Sequence, residues 1–381
     1  MVFNNKTMVE NNVKIGVKGS SADERVRKVS RLRTLLNRPE LGALGGTILV
    51  FSFFGIVAGD SGMFSVLGIV NFVEVSSLLG IVAIAAALLM ISGEFDLSVG
   101  SMIAFAGVCI AIPITYFGWP LWFTIIVTFE IAILVGLFNG LLTVKTGLPS
   151  FIVTLAMLFI LRGATVAMTR GISGRTQIPG LKKFAEDDPL TFIFYNDIGE
   201  KLFTWFGSVG LLALRPNGDT VILGFPVSVI WFIVLLFLAT WLLIKTRFGN
   251  WIFAAGGDAN GARNAGVPVT FVKTLLFIGT ACAATAYATI QVIDAGSADT
   301  ARGLLKEFEA IIASVVGGCL LHGGYGSAIG AGLGAIIFGT VSMGIYYTGV
   351  DSDWFKVFLG IMVLIAVLVN NFIRKRVTEN R

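Results

Sequence analysis

Two ionisable residues, Glu130 and Arg162, stand inside long apolar runs of this 381-residue chain. A charge in such a run is costly in hydrocarbon and faces a partner or a wet cavity. Three roles fit. The two residues form an ion pair between neighbouring helices, they line a polar pathway, or Glu130 carries protons. Asn139 and Gln291 lie near the ends of apolar runs. They suit a polar substrate and a helix–helix hydrogen bond equally well. Glu307 and Glu309 head a further run and are candidates for pathway or packing. The apolar runs hold no His cluster, no paired carboxylates and no nucleophile–base spacing, so an enzyme is the least favoured reading. The only histidine is His322, and Cys109, Cys282 and Cys319 each lie in an apolar run. That is neither a disulfide framework nor a metal spacing. No GxxxxGK[ST] run offers a phosphate cradle. Gly330, Gly332 and Ala335 match GxGxxA, but within an apolar run rather than after a strand. Gly326, Gly330 and Gly334 read instead as one helix face for close packing. The chain is expected to bind no cofactor of its own.

These residues must be positioned by helices in a bilayer. The chain is 55% hydrophobic and 13% charged, about half the roughly 25% charge of a soluble chain. A soluble protein of this size cannot bury so much apolar surface. Runs of about 20 apolar residues mark spans, and ten are read: 41–59, 68–92, 98–117, 119–143, 148–169, 225–244, 271–291, 309–324, 326–347 and 354–373. The expected fold is an all-α polytopic membrane protein with about ten transmembrane helices. Nine Lys and Arg fall in the first 40 residues. With ten spans, Lys145, the 245–273 loop and the tail 374–381 share their side. The positive-inside rule then makes both termini cytoplasmic. Spans two to five and seven to ten number four each and enter from opposite sides, which is compatible with an inverted repeat. Residues 1–40 contain no apolar run long enough for a signal peptide, so the first span is expected to act as the membrane signal. Ser21 and Glu24 fit a capping box, and Val26, Val29, Leu32, Leu35 and Leu36 come after it at helical spacing with basic residues opposite. This segment reads as a basic amphipathic helix on the inner leaflet, in contact with lipid. The basic residues flank spans rather than form a nucleic-acid face.

The chain divides into three domains: the cytoplasmic segment 1–40, the membrane domain 41–373 and the tail 374–381. Residues 171–222 form one long outside segment. Its stretch 191–213 is partly apolar, but Asp197, Glu200 and Lys201 interrupt it. It reads as a surface helix or hairpin on the outer interface rather than an eleventh span.

Two motifs lie on the cytoplasmic side. GEFDLSVGS (93–101) comes after the second span. Gly93 and Gly100 permit a tight reversal, and Asp96 or Ser98 can cap the next helix. A turn at membrane depth must be buried in protein or line a cavity. In the 245–270 loop, Gly256 and Gly257 break the chain and Asp258 caps a new short helix. Ala259, Asn260, Ala262 and Arg263 belong to that polar helix, which Gly266 ends, with Pro268 two residues on. With no packing partner of its own, the helix lies on lipid headgroups or docks onto another protein.

The chain resembles the permeases of bacterial ABC importers for ribose, galactose, xylose and related monosaccharides. The motifs that carry the likeness are GEFDLSVGS, FNGLLTVKTGLPSFIVTLAMLFILRG (138–163), LGFP (223–226), TRFGNWIFAAGGDANGARNAGV (246–267) and EFEAIIASVVGGCLLHGGYG (307–326). They stand in the family's order between about 41 and 373. The resemblance implies a multi-pass permease in the bacterial inner membrane, paired with a second copy or a close homologue around one pathway. It also implies a separate cytoplasmic ATPase seated on the 258–266 coupling helix, and a periplasmic or surface-tethered sugar-binding protein. Within the same family the cargo is alternatively a nucleoside, inositol or a signalling furanose. A proton-coupled transporter using Glu130 is the reading from another class. Four features depart from the family pattern. Glu94 stands where a glycine is usual, Tyr325 replaces an arginine, and both the 171–222 segment and the N-terminal arm are longer than usual.

Overall fold

The computed structural model describes residues 39–364, apart from 186–187, 189, 196, 216–219, 223, 352–353, 355–356, 359 and 362–363. The expected N-terminal amphipathic helix, most of the span 354–373 and the tail lie outside the described residues. So does the last span that an inverted repeat requires.

Eight described helices are long and apolar enough to cross a membrane. These are α1 (Pro39–Val57), α2 (Val66–Ile91), α3 (Val99–Phe117), α4 (Leu121–Thr146), α5 (Ser150–Ser173), α9 (Ser228–Lys245), α12 (Val269–Ala295) and α14 (Ala328–Tyr347). Helices α2, α3, α12 and α14 bury 67–78% of their apolar stretches, while α1, α4, α5 and α9 bury 11–33%. The first four are therefore the core and the others a ring with one face free. Helix α12 packs mainly on α4, α3 and α2, and α14 lies along α2. Ala, Gly and Thr make that contact close: Thr280, Ala284, Thr285 and Ala288 of α12 are all buried. Small residues let helix backbones approach without a hydrophobic driving force from water.

The expected span 309–324 is not a span. Its helix, α13 (Lys306–Val316), has 11 residues and ends in a loop that runs to Ser327. Gly318, Gly323 and Gly324 in that loop hold positive φ, so the apolar residues between them cannot continue a helix.

One end of the bundle carries the four short strands β1 (Gln177–Pro179), β2 (Asp197–Ile198), β3 (Phe225–Pro226) and β4 (Ser297–Asp299). β1 pairs antiparallel with β4, joining the chain after α5 to the chain after α12. β2 pairs with β3. The same end holds the short helices α6 (Lys182–Ala185), α7 (Thr191–Phe194) and α8 (Glu200–Ser208). At nine residues α8 is no span, and it buries Phe203 against Val70 of α2 and Ile222. The opposite end carries α10 (Arg247–Gly257) and α11 (Ala259–Asn264).

Candidate functional site

Between α2 and α3 the chain leaves the helix for only a few residues, and side chains of α5, α12 and α4 contact it there. The Phe95 amide donates to Ser150 Oγ at 3.0 Å and the Leu97 amide to Thr154 Oγ1 at 3.0 Å, both on α5. Asp96 is 7% exposed. Its Oδ1 accepts from the Ser98 amide and hydroxyl at 2.9 and 2.5 Å. Its Oδ2 accepts from Thr280 Oγ1 of α12 at 2.6 Å. Asn139 of α4 donates to Ser98 Oγ at 3.1 Å. Ser98 precedes α3 but makes no side-chain cap, so the expected cap is replaced by the hydroxyl's bond to Asp96. Ile91 closes α2 and Ser150 opens α5, so the turn lies toward the α10–α11 end of the bundle, where Thr280, about 16 Å along α12, reaches it. Irregular backbone within a membrane bundle is tolerated only when protein satisfies its polar groups, and here Ser150 and Thr154 of α5 do so for two of the amides.

A second interruption meets the first. After β4 the chain runs without helix to Leu305, the one described non-glycine residue with positive φ, at 66°. Such a conformation is disfavoured for a branched side chain and persists only where the surroundings fix it. Arg162 of α5 fixes this segment. Its Nη1 donates to the carbonyls of Thr300 at 2.9 Å and Arg302 at 3.4 Å. Arg302 donates in turn to the Gln291 carbonyl at 3.0 Å and to Ser297 Oγ at 3.1 Å. Glu307, the second residue of α13, is 4% exposed, and its carboxylate lies against Gly100 at the head of α3. A Cβ at Gly100 would overlap Glu307 Oε2 and the Gly303 carbonyl. Glu309 pairs with Lys306. Asn139 Oδ1, Ser101 Oγ and Glu307 Oε2 are buried around this junction with no hydrogen-bond partner among the described residues.

The expected pair between Glu130 and Arg162 does not form. Arg162 is committed to carbonyls on the chain between β4 and α13. Glu130 stands on the exposed face of α4, and the ion pairs among the described residues are Lys273–Glu94 and Lys306–Glu309.

The junction is linked to the α10–α11 end. Gly256, next to last in α10, packs on the last turn of α2, where a Cβ would collide with the Ile91 carbonyl. Gly323, at φ 79°, brings its own missing Cβ position to 2.7 Å from Gly93 Cα and 2.9 Å from Gly256 O. The Gly324 amide donates to the Ile91 carbonyl at 2.8 Å. Three separate segments thus meet backbone to backbone. Asp258 comes directly after α10, and its Oδ1 accepts the Asn260 amide at 3.0 Å to cap α11. Ala262 of α11 is buried with Ala255 and Val269. Asp258, Asn260 and Arg263 are exposed, with Arg263 donating to Asn260 Oδ1 at 3.0 Å. Gly266 ends the segment at φ 84°. Lys273 in the first turns of α12 reaches Glu94 at 2.6 Å. A cavity of about 220 Å³ lies between them, lined by Glu94, Lys273, Arg263, Thr143 and Pro149.

Sequence reading missed Thr280, Ser150, Thr154 and Lys273, whose roles depend on tertiary contact. It also passed over Glu74, a carboxylate well inside α2 that the rule applied to Glu130 would have flagged.

Residues 68–367 match the family model described as "Branched-chain amino acid transport system / permease component". The chain is 28% identical over 357 residues to the xylose transport system permease protein XylH of Escherichia coli (strain K12), covering 86% of this chain and 91% of that protein. It is 30% identical over 311 residues to the ribose import permease protein RbsC of the same strain, covering 81% and 87%. The fructose import permease protein FrcC of Rhizobium meliloti is 30% identical over 333 residues, covering 86% and 84%. No solved structure matches the chain.

Proposed function

Because the chain belongs to this family of transport permease components, we propose that it is the membrane subunit of an ATP-driven importer of a monosaccharide in the bacterial inner membrane. The xylose, ribose and fructose permeases among its relatives support a sugar cargo. The single observation that carries a coupled mechanism is the glycine contact of Gly93, Gly256 and Gly323. It ties the end of α10, and through it α11, to the interrupted backbone between α2 and α3.

A cytoplasmic ATPase seats on Asp258, Asn260 and Arg263 of α11. A sugar-binding protein docks at the strand-capped end, which is the outer face, and a second copy of the permease completes the pathway. ATP binding moves α11. Since Gly256 has no side chain to cushion the contact, displacement passes to the turn 92–98 and to the loop between α13 and α14. The buried acceptors Glu307 Oε2 and Asn139 Oδ1 then turn toward sugar hydroxyls that satisfy them in transit. Free energy enters because the ATPase binds the two permease states unequally. The permease holds the sugar weakly, since tight binding would trap it.

The test is co-purification with the candidate ATPase in mild detergent, together with ATP-dependent uptake of xylose, ribose and fructose in proteoliposomes. Wild type forms the complex, and Asp258→Arg and Arg263→Glu lose it. Glu130→Gln keeps uptake. Uptake that tracks a proton gradient without ATP, and that Glu130→Gln abolishes, would overturn the reading.

A further inference from the structure

A cavity of about 330 Å³ opens beneath the outer segment, between α2, α9 and the end of α12, and its wall is rich in acceptors. Asn71 and Glu74 of α2, Asp197 of β2, Arg215, and Gln291 and Asp294 of α12 line it. Three carboxylates thus face one guanidinium, and that guanidinium already donates to the Val221 carbonyl at 3.1 Å. Ser228 at the start of α9 is also in the wall. It is 1% exposed, and its Oγ has no hydrogen-bond partner among the described residues. Buried polar atoms in native proteins are nearly always bonded, so an orphan at a cavity wall marks a place where a ligand completes the set.

The carboxylates act on one another through charge. Burial, then the charges of Asp294 and Glu200, push the Asp197 carboxyl above its ordinary range. The Tyr195 phenol beside it is raised by burial and by Asp294, Asp197 and Glu74. Yet among the described residues no group of three acidic, His or Cys side chains is arranged to hold a metal ion. Spread acceptors with few donors suit a ligand that brings several hydroxyl donors at once. The rest of the wall is apolar. Leu67, Val70 and Leu78 line one side, and the Phe194 ring in the wall is stacked on Trp231 at 5.4 Å and 11°. A sugar ring has this duality, with hydroxyls around its edge and C–H groups on its faces. The volume lies at the lower end of the 300–1,000 Å³ typical of small-ligand sites.

The cavity also leads somewhere. Gln291 accepts from Arg302 through its carbonyl. Arg302 in turn offers its own carbonyl to Arg162, on the loop that descends to Glu307 and Gly100.

We propose that this outer cavity is a reception site that binds one neutral monosaccharide through Glu74, Asp197, Asp294 and Ser228 before it reaches the junction of Asp96, Asn139 and Glu307. The proposal rests on the importer reading above and adds where within the chain the cargo first binds.

Saturation-transfer NMR on the full chain in nanodiscs, with D-xylose, D-ribose, D-fructose and L-leucine as probes, tests it. At least one sugar receives transfer and leucine does not. In a Glu74→Gln/Asp294→Asn variant the sugar signal falls about tenfold, as expected for losing acceptors in charged hydrogen bonds. Asp197→Asn lies outside the spans and gives an independent loss should the double variant fail to assemble. Equal signals in wild type and variants would overturn the proposal, as would displacement of the sugar by calcium chloride or transfer to leucine. Wild type without transfer from any of the three sugars overturns it too. If ATP-dependent uptake persists in that case, the importer reading survives alone. Loss of ATPase co-purification bears on that reading and not on this site.

Discussion

The two polar regions of this bundle are built oppositely. At the junction around Asp96, backbone packs on backbone, and the amides of Phe95, Leu97 and Ser98 are each bonded to a side chain. At the outer cavity, carboxylates stand apart, Ser228 Oγ has no partner among the described residues, and space remains for a ligand. The first arrangement transmits displacement, because close-packed contacts have no slack to absorb it. The second accommodates, because its groups wait for donors. A transporter needs both, and this chain separates them along its axis instead of merging them in one site.

The contrast is broken most severely at Gly256. Gly256→Val places side-chain atoms where the Ile91 carbonyl already lies. Overpacking of that kind costs about 1–3 kcal/mol, and it is expected to abolish uptake and lower the yield of folded protein in size-exclusion chromatography. A conserved melting midpoint with full uptake would show that the contact transmits nothing.

Thr280→Val is the next largest. It removes one donor to Asp96 while leaving the carboxylate buried, which costs about 1–3 kcal/mol. Thermal unfolding in detergent should register the loss, and Thr280→Ser, which restores the hydroxyl, should recover it. Equal melting of the Val and Ser variants would show that shape, not the hydrogen bond, matters there.

The smallest effect sharpens the outer side of the comparison. Because the Asp197 carboxyl is raised in the folded state by burial, Asp294 and Glu200, the folded protein binds its proton more readily than the unfolded chain does. Stability therefore rises as pH falls through the window between the ordinary carboxylate pKa and the raised value. Asp197→Asn removes that contribution, so its melting midpoint should vary less with pH across this window. The same slope in both proteins would show that Asp197 is not coupled to its neighbours.

Length and apolar content made eight spans readable, because the bilayer imposes both. The same criterion misread 309–324. Val315, Val316, Leu320 and Leu321 count as apolar, but the paired glycines beside them stop the helix after Val316. The cap at Asp258 and the stop at Gly266 were legible because both are local backbone chemistry. The partner of Asp96 was not, since Thr280 is 184 residues away and looks like any other threonine in an Ala-rich helix. Arg162 was rightly singled out as a charge needing company. Its company turned out to be the carbonyls of Thr300 and Arg302, which side-chain reasoning alone does not anticipate. The outer cavity went unread because Glu74, Asp197 and Asp294 are scattered over three segments and converge only in the fold.

The bond between Asp96 and Thr280 also sets a timetable for biogenesis. At about 5–20 residues per second, α12 leaves the ribosome roughly 10–40 seconds after the turn that needs it. For that interval the nascent carboxylate has no tertiary donor from α12. The Asp96 contacts are therefore completed only after α12 has been made, rather than as the turn itself emerges.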